Sequence, residues 1–516
     1  MIKASENLIT KILDYTDVNF LLNGKIGIEK ESMRVNNNKI SHIPHHKKLG
    51  SSLFNRYITT DFSEAQLELI TPPFEDNESG LDFLMNIHHF VSNKIRDEYL
   101  WPLSMPPYFE SEKEIPIASF GNSNLAIFKE TYRKGLSHRY GRGMQAISGI
   151  HFNYSLSDEL WKSDLFNKSY IDETVLKNNI YMRTIRNLIR FNWLVLYLYG
   201  CSPIINSSFR NNSHKFQKLN KRDYFLPYAT TLRMSDIGYK NSIQANLSIS
   251  FNEIENYITG LKKATQIKYD DFEKIYRDTN DIRAQLNSSI IQNEDEYYAI
   301  ARPKSNLDSE IRMLDKLQKG GIDYIELRSV DLNPFNSIGI DEEVVNFLEI
   351  FMIFATFIPS KKMTHDEYMK SYQNDLDVSL RGREPNLHLL QGDKRVSLKS
   401  WGLEIIDSME DILESMHIEN RKYLHAVGKA KEKLLDIDKT PSAILLKTIK
   451  DENIEILDFG CIKGEEYKNQ YLQKSIDKNL DWKSLEKEVQ DSLSSCKNAS
   501  INEKISFNQY MKEYYK

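Results

Sequence analysis

Apolar and polar residues alternate with a period of two in five separate stretches of the chain. Side chains at i and i+2 of an extended strand share a face, so in residues 25–35 (KIGIEKESMRV) Glu29 and Glu31 crowd one side. In 65–71 (AQLELIT), Ala65, Leu67 and Leu69 oppose Gln66, Glu68 and Ile70. In 148–156 (SGIHFNYSL), Ile150, Phe152 and Tyr154 oppose His151 and Asn153; in 323–332 (DYIELRSVDL), Ile325 and Leu327 oppose Glu326 and Arg328. A fifth stretch, 245–252 (ANLSISFN), sets Ala245, Leu247, Ile249 and Phe251 against Asn246, Ser248, Ser250 and Asn252. One apolar and one polar face per strand predicts an antiparallel sheet covered on one side only.

Helical spacing of apolar residues marks 81–100, 122–141, 178–199 and 342–358, the second opening on capping residues and ending at Gly141, the third stopping at Gly200. Beyond residue 400 the pattern is mostly helical and charged, over 403–434, 441–450 and 464–495. Strands and helices do not alternate strictly, which places the chain in the α+β class rather than among doubly wound folds. A length of 516 residues would allow roughly three domains. No repeat, low-complexity tract or long linker divides it, however. The expected organisation is a strand-bearing domain over 1–400, with the helical region 401–516 packed on it rather than independent.

A hydrophobic share of 40 % with 27 % charged residues is that of an ordinary globular protein. The net charge of −5 offers no basic field for nucleic acid. Short basic clusters such as 209–222, with Arg210, His214, Lys215, Lys218, Lys221 and Arg222, continue into no basic stripe and read as solvated loops. Three cysteines, Cys201, Cys461 and Cys496, without CxxC spacing, argue for a reducing compartment and against a zinc ribbon. Residues 1–15 carry Glu6 and Asp14 and lack the continuous apolar core of a signal peptide. The apolar runs 193–200 and 350–358 fall short of the roughly 20 residues a membrane span needs. They read as buried core helices, and a cytoplasmic location without membrane contact is expected.

Brought into one sheet, the polar faces make a wall of carboxylates with one imidazole and one guanidinium. Such carboxylates repel one another unless protons or cations neutralise them. Oxygen ligands with a single His favour Mg²⁺ or Mn²⁺. Asp61 precedes Glu68 and is expected beside the same wall, whereas Glu64 is expected at the surface. Arg328 reads either as an ion-pair partner of Glu326 or as a clamp on a phosphoryl group. Arg133 and Arg233 lie in segments rich in hydroxyl and aromatic groups, where Arg suits bidentate binding of carboxylate or phosphate. Tyr132, Tyr239 and Tyr298 could line a pocket, although most of the 28 tyrosines must be structural. The loops Gly121-Asn122-Ser123 and Gly141-Arg142-Gly143 could approach a ligand or simply turn the chain. Neither a P-loop nor a Rossmann fingerprint is present. Unaided, these residues point to a metal- and nucleotide-dependent enzyme.

The same residues also resemble a known family. GIEKESMRV, TTDFSEAQLELITP, WPLSMP, YRKGLSHRYG, QAISGIHFNYS, LPYATTLRMSDIGY and GGIDYIELRSVDLNPF are similar, in order, to the proteobacterial type of glutamate–cysteine ligase; the part beyond about residue 400 is less so. The resemblance implies a glutamine-synthetase-like fold: an antiparallel sheet forming a funnel, backed by helices. It implies that ATP phosphorylates the γ-carboxylate of L-glutamate and that the amine of L-cysteine displaces phosphate, giving γ-glutamylcysteine in the first step of glutathione biosynthesis. By motif position it assigns metal binding to Glu29, Glu31, Asp61, Glu68, His151 and Glu326. Arg328 falls on the phosphoryl-stabilising arginine, with Arg133 placed for phosphate contact. Tyr132, Gln145, Arg233, Tyr239 and Tyr298 fall on positions associated with cysteine. The expected partners are L-glutamate, L-cysteine, ATP and Mg²⁺ or Mn²⁺; a monomer is expected, and without a further ATP-binding domain of the kind fused in bifunctional glutathione synthases the second step is expected to belong to another protein. A related ligase with another amine acceptor, or a non-catalytic metal- or nucleotide-binding relative, would carry the same wall.

Overall fold

A computed structural model describes residues 22–162, 172–210, 214–240, 242–279, 281–307, 311–415, 421–473, 480–501 and 503–516. The N-terminal stretch 1–15 read above lies outside these residues, as do short parts of the two helical regions 403–434 and 464–495. The centre is an antiparallel sheet containing β1 (Lys25–Asn36), β2 (Ile58–Thr60), β3 (Gln66–Ile70), β4 (Ile150–Ser155), β5 (Ala301–Lys304) and β6 (Tyr324–Val330). Its order is β5-β6-β4-β1-β3-β2, and the short strands Lys39–Ile40 and Tyr99–Leu100 pair with the far end of β1. All four principal strands read from alternation are present within a residue or two.

Behind the sheet, Ile26, Ile28, Leu67, Leu69, Phe152, Ile325 and Leu327 join one continuous core with α1 (Asn77–Lys94), α3 (Glu173–Tyr199) and α4 (Glu342–Phe357). Side-chain oxygens of Asp76, Asp172 and Asp341 accept backbone N–H groups at the starts of these three helices, which fixes where they begin. Every residue of α4 from Val344 on is buried, so its apolar run is core on all sides. Phe347, Phe351 and Phe354 are each fully buried, worth roughly 1.5–3 kcal/mol apiece relative to exposure. The same core takes in Trp401, Ile405, Met409 and Leu413 of α6 (Leu398–Ser415), and Val427 and Leu434 of α7 (Arg421–Leu435). In front of the sheet lies α2 (Asn124–Tyr140). No helix among the described residues is long and apolar enough to cross a membrane.

The structure corrects three readings. Residues 245–252 form no strand: Ser242–Ala245 is a helical turn, and the rest is irregular up to the helix Ile254–Ala264. Ile249 and Phe251 do point inward, into the core beside Tyr257. Alternation there reports burial alone, and the segment joins no strand ladder. Second, the sheet is not simply apolar on its back face. Lys30, between Glu29 and Glu31, points backwards and is buried, with Nζ 2.8 Å from Nε2 of His88 on α1. Burial pushes the Lys30 amine down to about 7. Third, Glu64 is not a free surface acid, because its carboxylate accepts the backbone N–H groups of His45 and Ser119.

At the far end of β1, fully buried Arg34 and Glu98 form an ion pair in which Nη1 of Arg34 donates to both carboxylate oxygens, at 2.7 and 2.9 Å. Arg34 also donates to the carbonyls of Ile43 and Glu64. The glycine loops are turn chemistry: Gly141, at φ 84°, ends α2, and Glu112 accepts the N–H groups of Arg142 and Gly143.

Candidate active site

Strand pairing decides which side chains of the front face meet. Glu31 stands directly opposite Glu68, and Glu29 directly opposite His151. Glu326 is opposite Asn153 on one side and Arg302 on the other. His151 Nδ1 lies 3.0 Å from Glu29 Oε2 and 3.9 Å from Glu326 Oε1, while its Nε2 lies 3.6 Å from Glu31 Oε1. The sequence therefore placed the acids on one face, and the register gathered them around a single imidazole.

Neutral donors fix these carboxylates. Asn153 Nδ2 donates to Glu29 at 2.9 Å, the Gly149 N–H to Glu31 at 2.8 Å, and the Thr59 hydroxyl to Glu68 at 2.9 Å. A side chain at position 149 would collide with Arg233, whose Nη2 lies 2.0 Å from where its Cβ would stand. Glycine is thus required where the backbone passes between Arg233 and the wall. Asp61 lines the same cavity as Glu31 and Glu68.

The wall is electrostatically split. Burial and the neighbouring Asp61 push Glu31 well above the ordinary carboxylate range. Burial, with Glu29 and Asp61, pushes Glu68 up to about 8. Burial acts on Glu326 in the same sense, but Lys304 and Arg328 outweigh it and hold its carboxyl well below the ordinary value. Lys304 Nζ and Arg328 Nη1 each lie 3.0 Å from a different Glu326 oxygen. Glu29 is likewise lowered, its hydrogen bond from His151 and the nearby Lys304 outweighing burial and Glu326. Burial, then Arg328, lowers the His151 imidazole, leaving it available as a neutral ligand.

Two groups of donor atoms lie close enough to share an ion: Glu29, His151 and Glu326, and Glu31, Glu68 and His151, each within 4.8 Å. All donors are carboxylate oxygens apart from the one imidazole, the set that suits Mg²⁺ or Mn²⁺. The hydrogen bonds from Asn153, Gly149 and Thr59 fix the orientation of the Glu29, Glu31 and Glu68 carboxylates.

The wall opens into a cavity of about 590 Å³, also lined by Tyr132, Arg133, Gln145, Tyr239 and Tyr298. Gln145 Nε2 donates to the Tyr298 hydroxyl at 2.6 Å, and the Tyr298 and Tyr239 rings meet edge-on at 5.3 Å. Arg233 is almost fully buried and lies to one side, in an adjoining space of about 20 Å³ shared with His151, Tyr239, Tyr298 and Arg328. Its Nη2 donates to the Arg328 carbonyl at 2.8 Å. Arg133 spends its donors on backbone: Nε bonds the Asp61 carbonyl and Nη1 the Lys129 carbonyl, with the guanidinium 4.6 Å over the Phe120 ring. That makes it first of all a brace for the Asp61 segment.

Sequence reading missed Lys129, Arg302, Lys304 and Arg312, all of which line this cavity. Arg302 and Lys304 carried a usable signal, the same i, i+2 spacing as Glu29 and Glu31. Pro303 between them obscured it, since proline enters a sheet only at an edge, where β5 lies.

A family profile described as glutamate–cysteine ligase matches residues 9–378. The glutamate–cysteine ligase of Serratia proteamaculans is 37 % identical over 496 residues, 95 % of each chain. The crystal structure of glutamate–cysteine ligase from Francisella tularensis in complex with AMP superposes with a TM-score of 0.89 at 33 % identity, covering 96 % of this chain and 97 % of that one. A bifunctional glutathione synthetase from Pasteurella multocida superposes with a TM-score of 0.71 at 25 % identity, over 91 % of this chain and 55 % of that one. The acid wall, the funnel-like sheet that carries it and these likenesses agree: the chain belongs to the glutamate–cysteine ligase family.

Proposed function

We infer that this chain joins L-glutamate to L-cysteine at the expense of ATP, giving γ-glutamylcysteine, ADP and phosphate as the first step of glutathione biosynthesis. The observation that carries this reading is the meeting of Glu29, Glu31, Glu68, Glu326 and His151 on one face, with Arg328 bonded to Glu326 beside them. The family match supports the reaction, and the AMP complex of the Francisella relative supports a nucleotide subsite.

Glu29, His151 and Glu326 would hold one Mg²⁺, and Glu31, Glu68 and Asp61 would contribute to a second. When bound, the ions screen the negative charge of the glutamate carboxylate and the ATP phosphates, which otherwise repel each other. Arg328 is a fixed cation whose Nη1 is anchored by Glu326, which leaves its remaining donors to meet charge developing on a transferred phosphoryl group. Lys304 neutralises Glu326 from the other side. Tyr132, Gln145, Tyr239 and Tyr298 line the recess for the amine substrate, with Arg233 behind them, and Arg133 holds the Asp61 segment in place. An acyl phosphate is easily hydrolysed, so closure that excludes water during turnover belongs to this reading.

The helical region 401–516 serves in this reading as a layer of the catalytic unit, since α6 and α7 share its core. A cytoplasmic monomer that binds neither nucleic acid nor membrane completes the proposal. The test is ADP release from ATP, Mg²⁺ and glutamate, with and without cysteine, together with mass spectrometry of the product. A cysteine-dependent γ-glutamylcysteine peak that Glu326→Gln abolishes is expected. ADP release only with a different amine would overturn the acceptor, and no turnover with any amine would overturn the reaction.

A further inference from the structure

Arg233 is an incompletely satisfied cation. Its side chain is 2 % exposed, yet Nε has no hydrogen-bond partner and Nη1 has only the Met234 thioether, a weak acceptor. The counter-charge is Asp331, the residue after β6, whose Oδ1 stands 3.6 Å from Nη1. That gap is beyond a hydrogen bond but short enough for attraction. Three donors hold the carboxylate there. The Cys201 N–H and the Ser202 hydroxyl donate to Oδ2 at 2.8 and 2.6 Å, and the Thr231 hydroxyl donates to Oδ1 at 3.0 Å. The donor segments are themselves tied together: the Leu232 N–H donates to the Ser202 carbonyl at 2.8 Å, and the Ser202 N–H to the Thr230 carbonyl at 3.2 Å. Asp331 lines neither the recess by Arg233 nor the larger cavity before the wall. It reaches the site through Arg233.

Resting on the ligase reading above, we propose that Asp331 is a positioning residue for the amine acceptor. Ser202 and Thr231 hold its carboxylate off Arg233, and this leaves the guanidinium charged, oriented and open to the carboxylate of the incoming amino acid. Burying an arginine without a counter-charge is costly, and Asp331 offsets that cost. An aspartate in full contact would offset it further, but it would also occupy the donors that a ligand carboxylate needs. Held one step back, Asp331 supplies the charge and leaves the donors free. Stability alone favours the closed pair, so the gap itself points to a ligand. Closing it means giving up the Thr231 bond, because Oδ2 is already committed to Cys201 and Ser202. The two hydroxyls thereby set how strongly the recess takes its acceptor.

The test is steady-state kinetics of the full chain with Mg²⁺, glutamate and ATP, titrating cysteine and then ATP. Thr231→Val takes away the hydroxyl that holds Oδ1, and the freed oxygen should close on Arg233 Nη1. The cysteine KM should then rise about tenfold, the worth of one charge-assisted hydrogen bond, with kcat and the ATP KM within about twofold. Thr231→Ser keeps the hydroxyl and should behave as the parent. Thr231→Val/Asp331→Asn should bring the cysteine KM back to within about threefold of the parent. Its amide oxygen can still accept from Cys201 and Ser202, but it has no charge with which to capture Arg233. A merely structural role would instead leave the double variant worse than Thr231→Val. An unchanged cysteine KM, an equal rise in the ATP KM, or a double variant no better than the single one would overturn the proposal. If Thr231→Val does not fold, Ser202→Ala, which frees Oδ2, carries the same comparison. A parent chain that makes γ-glutamylcysteine while Thr231→Val leaves its cysteine KM unchanged removes this inference and leaves the reaction standing. A parent chain that does not ligate cysteine removes both.

Discussion

Glu68→Gln should make the metal-free protein more stable while destroying its activity. Glu68 faces Glu31 across the β1–β3 pair, and like charges directly opposite in a sheet destabilise it. Burial, Glu29 and Asp61 raise its carboxyl from 4.5 to about 8, so folding favours the protonated form. Below pH 4.5 the group is protonated in both states and exacts no penalty. As pH rises through about 8 the folded protein must ionise it against its neighbours, and that contribution to stability is lost. The shift corresponds to up to about 4 kcal/mol at pH 7.5. Gln keeps an oxygen that can accept the Thr59 hydroxyl, so the substitution removes charge without emptying the site. Denaturant unfolding in EDTA at pH 5, 6.5 and 8 should show the two proteins converging at low pH and the variant ahead at high pH. Mg²⁺ should stabilise the parent chain and do much less for the variant, while ligation falls at least about 100-fold. A variant that is less stable at pH 8, or a gap that ignores pH, would refute the account of the wall as held-together repulsion.

Other perturbations probe the support behind it. Glu98→Ala leaves Arg34 charged, buried and missing its carboxylate partner, and should cost about 3–5 kcal/mol in urea unfolding; a loss under about 1 kcal/mol would mean water reaches the pair. Lys30, pushed down to about 7 by burial, gives up its proton on folding, so its contribution to stability rises with pH from about 7 towards 10.5. Lys30→Met should abolish that slope, about 1.4 kcal/mol per pH unit relative to the parent, and parallel profiles between pH 7.5 and 9 would sink the idea. Arg233→Ala should raise the KM for cysteine about tenfold or more with the ATP KM within about twofold, because Arg233 borders Tyr239 and Tyr298 rather than the outer cavity. A matching loss for ATP would reassign it.

Much of the site was legible in the sequence because its chemistry is built on strands. The period of two is a property of the local backbone, so it put Glu29 with Glu31 and set Glu326 and Arg328 against apolar neighbours without any knowledge of the fold. It could not say that Glu31 would meet Glu68, or Glu29 meet His151, since those pairings span many residues and follow from which apolar faces bury together. The same limit misled at 245–252, where alternation matched burial without a strand forming. Nothing local in the sequence marks Lys30 and Arg34 as buried, and only the helices and loops packed around β1 make them buried, partnered groups. Arg302, Lys304, Arg312, Tyr510 and Tyr514 entered the cavity for a similar reason: distant segments close it. Side-chain direction within a strand is fixed over a few residues by covalent geometry. Which strands, helices and tails share a cavity is fixed by the burial of apolar surface over the whole chain, and that is expressed only in the tertiary structure.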